Sequence, residues 1–236
     1  MKIAVVGKNK GHLERQLREN NFRIDQKQPW IVISYGGDGT ILLSERLYPG
    51  IPKLFLRHNP NCKNCSKHNF SKILKALENR EFKIKNEPKI MATINNEKLI
   101  ALNEINIHNT IPYALRFQTY IGNKLFEPLV IGDGIIVTTP FGSTAYYQSI
   151  TNKTFKRGLG LAYINPMRHS KLFKIKAKNK ILNDRITVRI KIIRGPGALY
   201  ADNNKKIVNL KEGDIITINR HKQDAKFIIL NKTTKF

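Results

Sequence analysis

The apolar positions change rhythm near the middle of the chain. In the first third, short unbroken apolar runs alternate with segments of helical spacing. Residues 3–7 and 30–35 read as buried strands, and 53–56 as a third. Between them, 12–20 is predicted helical, with Leu13 and Leu17 on one face, and 40–47 can open a second helix. Ile73, Leu74, Ala76 and Leu77 line one face of a helix from about Ser71. This order implies a parallel sheet with crossover helices. Beyond Glu87-Pro88 the apolar residues mostly alternate with polar ones. Residues 185–192 show it best, with every second position apolar, as a strand with one buried face requires. Turn signals recur at Asn95-Asn96, Gly122-Asn123, Gly195-Pro196-Gly197, Asp202-Asn203-Asn204 and Glu212-Gly213-Asp214. The expected architecture is an α/β domain with a parallel sheet over 1–88, then an all-β, sandwich-like domain over 89–236. The last strand is free to return to the first domain. A cleft between two such domains is the natural ligand site.

Composition leaves this picture intact. The 236 residues are enough for two modest cores, and 41% are apolar. No run approaches the ~18 apolar residues of a membrane helix, so no membrane partner is expected. The N-terminal run reads as a strand and not as a secretion signal. Two cysteines, Cys62 and Cys65, stand too close together for a disulfide framework, which points to reducing cytoplasm. The formal charge of +25 favours polyanionic partners, RNA or nucleotides among them. Equally, the Lys, Ile and Asn richness fits an AT-rich genome, and the basic residues are spread along the whole chain.

Gly36-Gly37-Asp38-Gly39-Thr40 follows an apolar strand and precedes a helix. There, successive amides and the positive helix end favour phosphate. Glycines permit close backbone approach. Asp38 can deprotonate an attacking hydroxyl or hold Mg²⁺. The alternative is an ordinary turn with Asp38 capping the helix. Downstream, Asp133-Gly134 leads the apolar strand 135–137, followed by Thr139-Pro140-Phe141-Gly142-Ser143-Thr144-Ala145-Tyr146. The Ser143 and Thr144 hydroxyls can bind sugar or phosphate oxygens, or cap a helix. Tyr146 can stack on a base or pack. Asn103-Glu104 is predicted to sit in the middle of a strand over 100–107, where a carboxylate needs a partner.

These three segments together resemble the NAD kinase family: its GGDGT motif, its NE dipeptide and its DG…TPxGSTAY signature. The resemblance implies an NAD kinase-like fold and transfer of a phosphoryl group from ATP or polyphosphate to the adenosine ribose 2′-hydroxyl of NAD, making NADP. It implies Asp38 as catalytic base, with Gly36, Gly37, Gly39 and Thr40 against the phosphates. Asn103 and Glu104 would hold ribose and adenine, and Asp133 the ribosyl-nicotinamide end. Ser143, Thr144, Ala145, Tyr146 and Ser149 would complete the NAD pocket. Mg²⁺ would accompany ATP, and the family's usual state is a homodimer or homotetramer.

The sequence departs from the family pattern at 57–70, at 150–153 and at Phe141, and its Pro166-Met167-Arg168-His169 is one residue shorter than the family's segment. Within the first departure, His58, Cys62, Cys65 and His68 are four candidate Zn²⁺ ligands in one loop; the alternative is two free thiols and two surface imidazoles. Because the departures fall where an acceptor pocket is shaped, an RNA 2′-hydroxyl is a second candidate acceptor. A non-catalytic nucleotide-binding protein is a third reading.

Overall fold

The computed structural model describes residues 1–57, 70–167 and 175–230. The chain forms two units, Met1–Glu87 with Asp224–Phe236, and Pro88–Gln223.

The first unit runs β1 (Lys2–Val6), α1 (Lys10–Glu19), β2 (Arg23–Ile24), β3 (Ile31–Gly36), α2 (Asp38–Leu47), β4 (Lys53–Arg57), α3 (Phe70–Glu78) and β5 (Phe82–Glu87). Its sheet has the order β2-β1-β3-β4, then the C-terminal strand Ala225–Leu230, then β5. The pairings are parallel from β2 through the C-terminal strand, and that strand meets β5 antiparallel. The apolar runs are continuous because both sheet faces are covered. Ile3, Val5, Ile31 and Ile33 pack on Leu13 and Leu17 of α1 and on Ile73 and Leu77 of α3. On the other face Ala4, Val6 and Val32 meet Leu43, Tyr48 and Ile51. Trp30, expected as the first residue of a buried strand, falls outside β3: it is 58% exposed, and β3 starts one residue later. Lys53, read as the start of an apolar strand, is a fully buried cation. Its Nζ lies 2.5 Å from Glu45 Oε2 of α2 and donates to the carbonyls of Tyr48 and Ile51, both at 2.7 Å.

The second unit runs β6 (Ile90–Ile94), β7 (Glu97–Ala101), β8 (Glu104–Asn109), β9 (Leu115–Ile121), β10 (Lys124–Gly132), β11 (Gly134–Thr138), α4 (Tyr146–Thr151), β12 (Leu159–Ile164), β13 (Asn179–Leu182), β14 (Val188–Arg194), β15 (Gly197–Ala201), β16 (Val208–Leu210) and β17 (Ile215–Arg220). Among the described residues these make two six-stranded antiparallel sheets, β10-β9-β14-β17-β6-β7 and β13-β12-β11-β8-β15-β16. Val188, Ile190 and Ile192 of the first sheet share a core with Ile105, Ile107, Val137, Leu161 and Leu199 of the second. This is a sandwich, with inward apolar residues alternating along each strand.

Two expected strands are corrected. The alternation over 185–192 becomes strand only from Val188. The Asn183 side chain accepts from Arg185 N at 2.9 Å and its carbonyl from Ile186 N at 3.1 Å, holding a turn there. The strand over 100–107 is broken: β7 ends at Ala101 and β8 begins at Glu104. Among the described residues no helix is long and apolar enough to cross a membrane.

Candidate active site

In the first unit, β3 ends on Gly36 and α2 begins on Asp38, with Gly37 as the extended residue between them. The Gly37 carbonyl accepts from Thr40 N at 2.9 Å and Ile41 N at 3.3 Å, which starts the helix without a side-chain cap. Nothing lies within 4 Å of the place a Gly37 Cβ would take. Gly36 is different. A Cβ there would stand 2.2 Å from Thr40 Oγ1, so Gly36 and Thr40 pack on one another. Nearby, Gly7 ends β1 at φ +156°, where a Cβ would meet the Tyr35 carbonyl oxygen at 2.1 Å. Bare glycine backbone therefore lets β1 close against β3 just before the loop. Asp38 and Gly39 are exposed in the first turn of α2. A carboxylate beside open glycine backbone at a helix start can reach a ligand hydroxyl while the amides face phosphate.

In the second unit, the break between β7 and β8 is where two signatures meet. The Asn103 carbonyl accepts from Thr139 N at 2.8 Å and Thr138 Oγ1 at 2.9 Å. Thr139 Oγ1 donates to the Leu102 carbonyl at 2.6 Å and accepts from Gly142 N at 3.1 Å. Gly142 lies so close that a Cβ would be 2.4 Å from the Asn103 oxygen. The 139–146 loop is thus stapled onto Asn103-Glu104, and only glycine fits at the contact. On the opposite side, Asp202 accepts from the amides of Leu102 and Asn103, both at 2.8 Å, and of Glu104 at 3.1 Å.

Glu104 shares its cross-strand position with Thr138, and its Oε2 is buried without a hydrogen-bond partner. Burial, and then the nearby Asp202 charge, push its carboxyl up to about 7. Burial also raises the Tyr146 hydroxyl, with the Asp133 and Glu104 carboxylates adding to the effect. Asp133 itself accepts from Asn165 Nδ2 at 2.8 Å. The folded pKa of Glu104 thus stands above its ordinary 4.5, and its contribution to stability falls as pH rises from 4.5 through 7. Glu104→Gln is therefore expected to unfold at a higher temperature than the parent at pH 8. The difference shrinks to nothing below pH 4.5. Thermal melts of both proteins across that range check it, and a gap that does not depend on pH rejects it.

Tyr146, Ser149, Ile150, Asn165, Lys178 and Asn179 are among the residues lining a cleft of about 740 Å³ within this unit. Thr144 is exposed and Ala145 half-buried at the start of α4. Ser143, expected to line the pocket, is placed otherwise. It is buried, and its Oγ donates toward the carbonyls of Pro140 at 2.7 Å and Phe155 at 3.1 Å. Its hydroxyl serves the loop's own shape. Asp202, Thr138 and Asn165 are supporting residues that the sequence motifs do not single out, and Thr139, part of the 139–146 signature, supports the loop as well. Asp202 was read only as a turn residue, and the buried carboxylate problem at Glu104 was the available hint. The candidate zinc ligands His58, Cys62, Cys65 and His68 lie outside the described residues. Among the described residues no cluster of three or more His, Cys, Asp or Glu could hold a metal ion.

An α/β unit with an Asp-bearing glycine loop and a β-sandwich with two stapled polar signatures define the class of fold. A solved NAD kinase from Archaeoglobus fulgidus in complex with ATP has this fold: TM-score 0.80, 23% identity, 98% of this chain and 95% of that one. The family model for the ATP-NAD kinase C-terminal domain matches residues 101–230. An NAD kinase of Ruminiclostridium cellulolyticum is 31% identical over 221 residues, 87% of this chain and 75% of that protein. The chain belongs to the NAD kinase family. It spans about half the length of some relatives it matches, such as NAD kinase 2 of Bacillus licheniformis, 31% identical over 58% of this chain and 55% of that protein.

Proposed function

We propose that this chain is an NAD kinase that moves a phosphoryl group from ATP or polyphosphate to the adenosine ribose 2′-hydroxyl of NAD. The observation that carries the reading is the stapling of the 139–146 loop onto Asn103-Glu104, which brings two separate polar signatures together. There Asn103 and Glu104 hold ribose and adenine. Asp133, oriented by Asn165, meets the ribosyl-nicotinamide end. Thr144, Ala145, Tyr146 and Ser149 line the remainder.

The glycine loop then acts on the donor. The exposed Asp38 carboxylate takes the proton from the attacking 2′-hydroxyl. The new bond forms between that oxygen and the terminal phosphorus, and the bond to the bridging oxygen breaks to release ADP from ATP or a polyphosphate shorter by one unit. The amides by Gly37 and Gly39 face the charge that develops on the phosphoryl oxygens. Mg²⁺ would be carried largely by the donor's own phosphates, which leaves the exposed Asp38 carboxylate to act as the base. When bound, it neutralises phosphate charge. A cytoplasmic location and assembly as a homodimer or homotetramer accompany the reading through the family likeness. Zinc at the 58–68 loop is a separate part of the proposal, tested by metal content of protein purified without a His tag.

The charge of +25 favours one second reading, transfer to a 2′-hydroxyl of RNA. Labelled ATP offered to NAD and to tRNA in parallel separates the two. Label on NAD is expected. Label on tRNA alone overturns the acceptor, and dinucleotide binding with no transfer to either overturns the chemistry.

A further inference from the structure

Asp202 stands outside every signature, in the turn after β15, yet it is bonded to the break between β7 and β8 where two signatures meet. Its Oδ2 accepts from Leu102 N, and its Oδ1 from both Asn103 N and Glu104 N. Its own N–H donates to the Glu104 carbonyl at 3.0 Å. Strand pairing lapses at 102–103, and the carboxylate takes over the amides that a neighbouring strand would otherwise bond. Bonds to an ionised acceptor are stronger than neutral ones, so three of them fix the backbone here firmly. Both oxygens are in use. A neutral amide in the same place has one acceptor oxygen and cannot repeat the pattern.

We infer that Asp202 is a positioning residue of the acceptor site, holding the backbone from which Asn103 and Glu104 reach a ribose or adenine. The inference rests on the acceptor reading given above. The clamp also has an electrostatic side. The Asp202 charge opposes ionisation of Glu104, which also interacts with Tyr146 from α4. Ionised, a pocket carboxylate is acceptor-only and bonds ligand hydroxyl or amino groups more strongly than its protonated form does. NAD binding is therefore expected to weaken as pH falls through about 7.

Asp202→Asn tests this, since it keeps size and one acceptor oxygen while removing the charge. The expected result is a rise in KM for NAD of about tenfold, with kcat and the KM for ATP within about twofold. The pH below which NAD binding fails should move down, and so should the titration of the Glu104 carboxyl followed by carbon NMR. A scaffold role alone would lower the melting temperature and leave both titrations in place, which overturns the inference, as does an unchanged KM for NAD. Asp202→Ala is the harsher variant. If it does not fold, Asp202→Asn decides. Should the parent protein fail to phosphorylate NAD, the proposed function falls. Hydrogen exchange of the Leu102, Asn103 and Glu104 amides still judges Asp202: faster exchange in Asp202→Asn upholds the clamp and unchanged exchange rejects it.

Discussion

Asp38→Asn is expected to lower kcat by about 10²–10⁴-fold while NAD and ATP still bind, the range that loss of a general base produces. The substitution is nearly isosteric. Asn is tolerated as well as Asp at helix starts, and α2 already begins from the Gly37 carbonyl without a side-chain cap. Residue 38 is exposed, so no core contact is disturbed. What disappears is the proton acceptor for the attacking hydroxyl. Initial rates with NAD as acceptor, beside calorimetric titration of NAD and of ATP, separate the two effects. Full activity in the variant removes Asp38 from the mechanism. Loss of binding together with loss of rate would make it a ligand-holding residue instead.

Lys53→Met is expected to destabilise the protein by about 3–5 kcal/mol, the usual consequence of breaking a buried ion pair on one side. Lys53 is fully buried and Glu45 nearly so, with Glu45 Oε1 also accepting from Gly50 N at 3.3 Å. Methionine fills similar space but removes the Lys53 charge beside the buried Glu45 carboxylate and takes a donor from the Tyr48 and Ile51 carbonyls. The double variant Lys53→Met with Glu45→Gln should recover much of the loss, because the stranded charge goes with it. Urea denaturation of the single and double variants reads this directly, and a single variant as stable as the parent refutes it. Since Glu45 belongs to α2, the same pair secures the helix that presents Asp38.

Where burial imposes a period, the fold was legible. The runs that became β1, β3 and β4 are apolar throughout because helices cover both faces, and Val188, Ile190 and Ile192 alternate because one face is inward. Local pattern fails where a distant partner decides. The chain at Leu102 and Asn103 looks like strand, and it takes a carboxylate 100 residues away to make it a break. Lys53 looks solvent-seeking until Glu45 is placed beside it. Ser143 looks the same in sequence whether its hydroxyl meets a ligand or a carbonyl, and here it meets the carbonyls of Pro140 and Phe155. The candidate site was therefore visible as motifs. The hydrogen bonds that hold the motifs together were not, since they join residues with no common spacing.

The C-terminal strand Ala225–Leu230 has a consequence for the order of events during synthesis. It pairs with β4 on one side and β5 on the other, so those two strands have no direct ladder between them. On the ribosome, residues 88–223 can emerge and close both their sheets while the first unit still lacks a central strand. The half of the protein made first is then the half completed last. Until residues 225–230 emerge, β5 has no partner strand and β4 has an open edge, so the glycine loop is held by a sheet that is still one partner short.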